Sequence, residues 1–104
     1  MVAKLLVLYG PPEDAAAFDS HYEQTHVPLA RQVPGLRSFT INAGPVMTPD
    51  GPAENVHRVA TLTWDSIADL QAGLGSPEGD AAAADVAGFA TGGATLLIFD
   101  EREA

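Results

Sequence analysis

The chain has 104 residues, 46% of them hydrophobic and 18% charged, with five Lys and Arg against fourteen Asp and Glu. That composition excludes a disordered chain, and the length suits one domain over residues 1–104. A net charge of −9 disfavours a phosphate backbone or an anionic bilayer, so neither nucleic acid nor membrane is expected as a partner. The absence of cysteine removes disulfides, thiolate nucleophiles and thiolate metal ligands together.

Met1–Tyr9 is apolar but too short to span a bilayer and lacks a signal-peptide cleavage site, so a cytoplasmic location is expected. Within it, Val2–Tyr9 reads as a strand that is apolar on both faces except at Lys4, and Gly10-Pro11-Pro12 ends it. Asp14 is the expected N-cap of a first helix, whose Phe18, Tyr22, Thr25 and Leu29 fall within about 60° of one another. Pro28 should interrupt that helix, push Val27 toward extended geometry and let the helix resume to Gln32 before Pro34-Gly35. Leu36–Ala43 and Val56–Trp64 are the second and third strands. Gly44–Asn55 between them is too long for a tight hairpin turn, which leaves a mobile connection or a flap over a ligand. Asp65 or Ser66 caps a short helix carrying Ile67, Leu70 and Leu74, closed by Gly73 and Gly75. Ser76-Pro77-Glu78 starts the last helix, which sets Ala82, Val86 and Phe89 on one side and stops at Gly92-Gly93. Ala94–Phe99 is the final strand.

The order β-α-β-β-α-α-β, with the last two helices acting as one crossover, gives a ferredoxin-like α+β fold. This is a split-βαβ, four-stranded antiparallel sheet with its helices on one face. Alternation turns Phe39, Ile41, Leu62 and Trp64 toward the helices, and Ser38, Thr40, Asn42, Thr61 and Thr63 away from them. The first and last strands add apolar residues to that second face. Such a face needs another layer, and a second copy of the chain supplies it most simply. A homodimer with its sheets face to face is therefore expected.

The polar chemistry is sparse. His21 and His26 lie about 140° apart on an ideal helix, so they do not form the i,i+4 pair that chelates a metal. No metal site, nucleotide fingerprint or nucleophile elbow is expected, and no cofactor. His26 sits at the edge of the buried stripe beside Tyr22 and just before Pro28. It is either an acid/base aimed into a cleft or a half-buried ring bonded to a backbone group that Pro28 leaves unpaired. His21, on the other flank, should face solvent. Tyr22 is a phenolic donor in an apolar pocket or a packing aromatic. Phe39, Trp64, Phe89 and Phe99 are candidate pocket walls or plain core. His57 and Arg58 are expected at a solvated strand edge.

Three stretches carry a resemblance: Tyr9-Gly-Pro-Pro-Glu-Asp-Ala-Ala-Ala-Phe18, His21-Tyr22-Glu-Gln-Thr25-His26-Val-Pro28-Leu29-Ala30 and Pro34-Gly35-Leu36. Together with Ser76-Pro77-Glu78, Ala84-Asp85 and Phe89, they resemble the EthD family of the dimeric α+β barrel group, over nearly the whole chain. The resemblance implies a dimer with a small cavity between helices and sheet. Relatives in the wider group include cofactor-independent monooxygenases, cyclases, dehydratases, decarboxylases and haem-degrading proteins; the family's name comes from an association with ether degradation. Carried over by position, the histidine of the family's core motif is His26, with Tyr22 one turn before it. The resemblance implies a small aromatic or ketone-like metabolite in an apolar pocket, with His26 as acid/base and Tyr22 as donor. The alternatives are a non-catalytic ligand-binding or accessory protein and, third, a haem-handling protein.

Overall fold

The computed structural model describes residues 1–104. In chain order its elements are β1 (Val2–Tyr9), α1 (Ala15–His21), a π-helical turn (Tyr22–His26), α2 (Val27–Arg31), β2 (Ser38–Ile41), β3 (Met47–Thr48), β4 (Gly51–Pro52), β5 (Arg58–Trp64), α3 (Ile67–Leu74), α4 (Pro77–Phe89) and β6 (Ala94–Glu101). β2, β5, β1 and β6 form, in that spatial order, one antiparallel sheet. This is the ferredoxin-like arrangement expected from the sequence. β2 and β5 are shorter than the pattern suggested, and β6 runs two residues beyond Phe99. No helix is long and apolar enough to cross a membrane.

Side-chain caps start the helices where the sequence places them. The Asp14 carboxylate accepts from Ala17 N, Ser66 Oγ from Asp69 N and Ser76 Oγ from Gly79 N. Of the two candidates for the third helix, Ser66 is the cap. Each bond satisfies a donor that the first helical turn would leave orphaned, worth about 1 kcal/mol. Gly10 and Gly92 lie backbone to backbone where β1 ends and β6 is about to begin, and a Cβ on either would collide with the other segment's main chain.

The core lies between the helices and one sheet face. Ala3, Leu5, Val7 and Tyr9 of β1 and Ala60, Leu62 and Trp64 of β5 are buried there, with Phe18, Tyr22, Leu70 and Phe89 above them. Trp64 Nε1 donates to Pro34 O at 3.0 Å, which ties the end of β5 to the turn after α2. Fully buried side chains the size of Leu70 each stabilise by roughly 2 kcal/mol before entropy is charged.

Two local expectations fail for one reason. Val27 is not extended but helical, with φ −57° and ψ −48°. Pro28 has no N–H and crowds the carbonyl four residues back, and the chain answers by widening rather than breaking. The Val27 N–H reaches back five residues to Tyr22 O, which makes Tyr22–His26 a π turn, and α2 then runs on to Arg31. The extra residue in that turn moves the buried stripe. Phe18, Tyr22, His26 and Ala30 are buried, whereas Thr25 is exposed and Leu29 only half-buried.

The long connection is ordered as a hairpin. β3 and β4 pair through Met47↔Pro52 and Thr48↔Gly51, separately from the main sheet. Asn42 secures its base, donating from Nδ2 to Gly44 O and accepting from Val59 N.

Candidate functional site

The π turn decides the geometry of the site. With the ladder closing over five residues instead of four, His21 and His26 come to the same side of the helix, against α4. Both then reach one carboxylate: His21 Nε2 lies 2.8 Å from Asp85 Oδ1, and His26 Nδ1 lies 3.0 Å from Asp85 Oδ2. This corrects the expectation that the two rings diverge and that His21 simply faces solvent. Asp85, which stands in the sequence only as part of the resemblance, is the residue that joins the two rings. A signal was present: Asp85 is an acid in the middle of an alanine-rich helix, three residues after Ala82 and four before Phe89 on the packed side. Glu78 and Asp80, by contrast, are accounted for by the positive end of the helix dipole.

A carboxylate oxygen only accepts, so each ring nitrogen bonded to Asp85 carries a proton. For neutral His26 this fixes the tautomer, with the proton on Nδ1 and a lone pair on Nε2. His26 is only 5% exposed. Burial lowers its pKa below the usual 6.5, partly offset by the Asp85 hydrogen bond and charge, so the ring is neutral at pH 7. Phe89 packs against both imidazoles, with ring centroids 4.9 Å from His26 and 5.1 Å from His21.

His26 borders a cavity of about 70 Å³ between the sheet, α2 and α4. Its walls include Leu5, Val7, Phe39, Ala60, Leu62, Trp64 and Val86, and its polar side chains are those of Tyr9, Tyr22 and His26. At ~10–15 Å³ per water-sized group, the space suits about five or six non-hydrogen atoms. The Tyr22 hydroxyl is shut off from solvent and has no hydrogen-bond partner. Burial pushes its pKa up to about 12, against the opposing pull of Arg58, so it stays protonated and able to donate. Burial, with Tyr22 beside it, raises Tyr9 as well.

Four of the six residues expected at the site therefore meet at the cavity: His26, Tyr22, Phe39 and Trp64. Phe89 does not line it but stands behind the two imidazoles. Phe99 is not part of it. Phe99 pairs with Lys4, whereas the cavity-lining residues of β1 pair with Leu96 and Ile98, so strand alternation puts Phe99 on the opposite face of the sheet.

A second polar cluster lies below α1. Asp19 Oδ1 accepts from Arg58 Nη2 at 3.0 Å and lies 2.8 Å from His57 Nε2. Arg58 is buried, not at a solvated edge, and its guanidinium stacks 4.6 Å over the Tyr22 ring. Its Nε and Nη1 have no partner.

A profile of the EthD domain matches residues 10–93. An uncharacterized 11.0 kDa protein from the thcB–thcC intergenic region of Rhodococcus erythropolis is 43% identical over 99 residues, which span 95% of this chain and 94% of that protein. The crystal structure of an EthD family protein from Bacillus halodurans C-125 superposes with a TM-score of 0.90 at 36% identity, covering 98% of this chain and all of the other. Two more distant structures share the fold. Hydroxynitrile lyase from Passiflora edulis has a TM-score of 0.77 at 15% identity (99% and 95% covered). A dimeric ferredoxin-like protein of unknown function from Thermobifida fusca YX has 0.70 at 16% (95% and 90% covered).

Proposed function

The chain belongs to the EthD family, and we propose that it moves a proton on a small ketone-like metabolite held in the apolar cavity, with His26 as the base. The observation that carries this reading is the Asp85–His26 pair. It holds a neutral imidazole with its Nε2 lone pair free at the edge of an apolar cavity, with the phenols of Tyr22 and Tyr9 beside it. His26 Nε2 takes a proton from the carbon next to the carbonyl. The C–H electron pair becomes the C=C bond of an enolate, and the carbonyl oxygen gains the negative charge. Tyr22 donates a hydrogen bond to that oxygen, and the imidazolium returns the proton. The step balances with no other reactant. The same proton transfer begins a dehydration or a cyclisation, and an enolate is also the electron-rich species that a cofactor-independent oxygenation needs.

The functional unit is a homodimer. β6 is half-exposed along its apolar length, which leaves the outer edge of the sheet without cover, and the fold neighbour from Thermobifida fusca is described as dimeric.

Cyclopentanone, with six non-hydrogen atoms, is the probe that fits the volume. Exchange of its α-hydrogens in D₂O, followed by proton NMR, reads enolisation directly. The protein should accelerate that exchange, and His26→Ala should reduce the acceleration by roughly 10²-fold or more with the circular dichroism spectrum unchanged. Exchange by His26→Ala at the unsubstituted rate contradicts the role of His26. Saturation transfer to cyclopentanone without any exchange would instead favour a non-catalytic ligand carrier.

A further inference from the structure

The face of the sheet that carries the cavity is not evenly covered. Its residues on β1 and β5 are almost fully buried, but on β6 the same face shows Leu96 at 52% and Ile98 at 47% exposure. Leu96 is also a wall of the cavity, and Ala83 on α4, another wall, is exposed as well. The helix layer thus stops one strand short, and the pocket lacks a side between α4 and β6. Nothing within one copy of the chain closes it.

The exposed large apolar side chains fall into few places: Met1, the run Leu96–Phe99, and Met47 at 59% exposure on the β3–β4 hairpin. The hairpin is ordered by its own ladder and pairs with no strand of the main sheet. It is therefore an arm whose flank presents an exposed apolar side chain, Met47, just before the Pro49-Asp50 turn. In a closed two-fold dimer, an unsatisfied patch and an unsatisfied arm on the same chain satisfy each other twice.

The topology allows this. The arm links the end of β2 to the start of β5, at the end of the sheet where Arg58 pairs with Tyr9 and Tyr9 with Ala94. Leu96 is two residues from that end. A two-fold axis along the strands, with the open sheet faces together, sets β2 of one copy over β6 of the other because the two are opposite edges. It also keeps both arms at the same end, beside the start of the partner copy's β6.

We infer that the β3–β4 arm of each copy wraps the β6 edge of the other, so that Met47 closes the open side of the partner copy's cavity at Leu96. Each pocket is then completed by the second subunit, and Met47 bounds the size of ligand admitted. This rests on the homodimer proposed above, and the experiment separates the two.

The chain has no cysteine, so Met47→Cys and Leu96→Cys variants carry one thiol each. Co-expressed and treated with a short bis-maleimide, they should yield several-fold more covalent dimer on a denaturing gel than either variant alone. The two-fold sets position 47 against 96, not against itself. Pro52→Cys, directly opposite Met47 in the arm, with Ile98→Cys is a second pair, should the first disturb folding. Native mass spectrometry of the same samples counts subunits. Dimers without cross-linking in either mixture overturn the arm placement and leave the dimer standing. Monomers overturn the dimer and the arm placement with it.

Discussion

Two aspartates in this molecule each hold two basic side chains, and both clusters border a cavity, but only that of Asp85 borders an apolar one. Asp85 bridges His21 and His26; Asp19 bridges His57 and Arg58. The distances match almost one for one, between 2.8 and 3.0 Å. The difference lies in what the second partner can do. Arg58 is a guanidinium, which has donors but no lone pair to offer, and its flat face lies on the Tyr22 ring. His26 has a second ring nitrogen that the protein does not occupy, in a ring that is neutral at pH 7 and lines an apolar space. The comparison teaches that a shared carboxylate is not itself a sign of chemistry. A buried, neutral imidazole with a free lone pair at the edge of an apolar space is.

The most damaging change to the Asp85 cluster, short of removing His26, is Asp85→Asn. The amide offers Nδ1 of His26 either an oxygen or an N–H, so the tautomer that puts the lone pair on Nε2 is no longer enforced. Deuterium exchange into cyclopentanone should drop by roughly 10²-fold. The His26 pKa should fall further, because the carboxylate raises it and burial then acts unopposed. An NMR titration reads that direction, and a His26 pKa that rises in Asp85→Asn would break the assignment.

Asp19→Ala tests the other side of the comparison. It leaves the buried Arg58 charge without its acid, at a cost of about 1–2 kcal/mol after allowing for Asp19 being half-exposed. A urea melt should show that loss, while the exchange rate stays within about twofold of the unsubstituted protein. Catalysis lost with stability kept would move the chemistry to the Asp19 cluster.

The smallest expected effect is a pH dependence. His26 in the folded chain has a pKa below the 6.5 of the unfolded chain. Between those two values the unfolded chain binds a proton that the folded chain does not. Stability should therefore fall as pH drops below 6.5 and level off below the folded pKa. His26→Gln removes that contribution, so its stability should decline less than that of the unsubstituted protein between pH 7 and pH 5. Parallel curves would mean that His26 titrates alike in both states.

The fold was legible because its signals are local or strictly periodic. Asp14, Ser66 and Ser76 cap helices through bonds that span three residues. Phe39, Leu62 and Trp64 report a face through simple alternation, which a strand cannot shift by one residue without inverting. The candidate site was half legible. Tyr22 and His26 emerged from spacing and resemblance, whereas Asp85 stood in the resemblance without a role, because that role arises from the packing of α4 against a turn far away in sequence. The π turn was the larger obstacle. Every helical angle was laid out at the α-helical period, and Pro28 changed that period exactly where the two histidines lie. Phe99 failed for a simpler reason, since β6 is apolar on both faces and composition alone does not say which side meets the helices.

Asp85 holds His26 as a neutral imidazole with its Nε2 lone pair free at the cavity. Nitrogen-15 NMR of the ring nitrogens at pH 7 tests it directly, because protonated and unprotonated ring nitrogens resonate far apart. His26 should show a protonated Nδ1 and an unprotonated Nε2, converting to a tautomer mixture in Asp85→Asn. A proton on Nε2, or on both nitrogens, would contradict it.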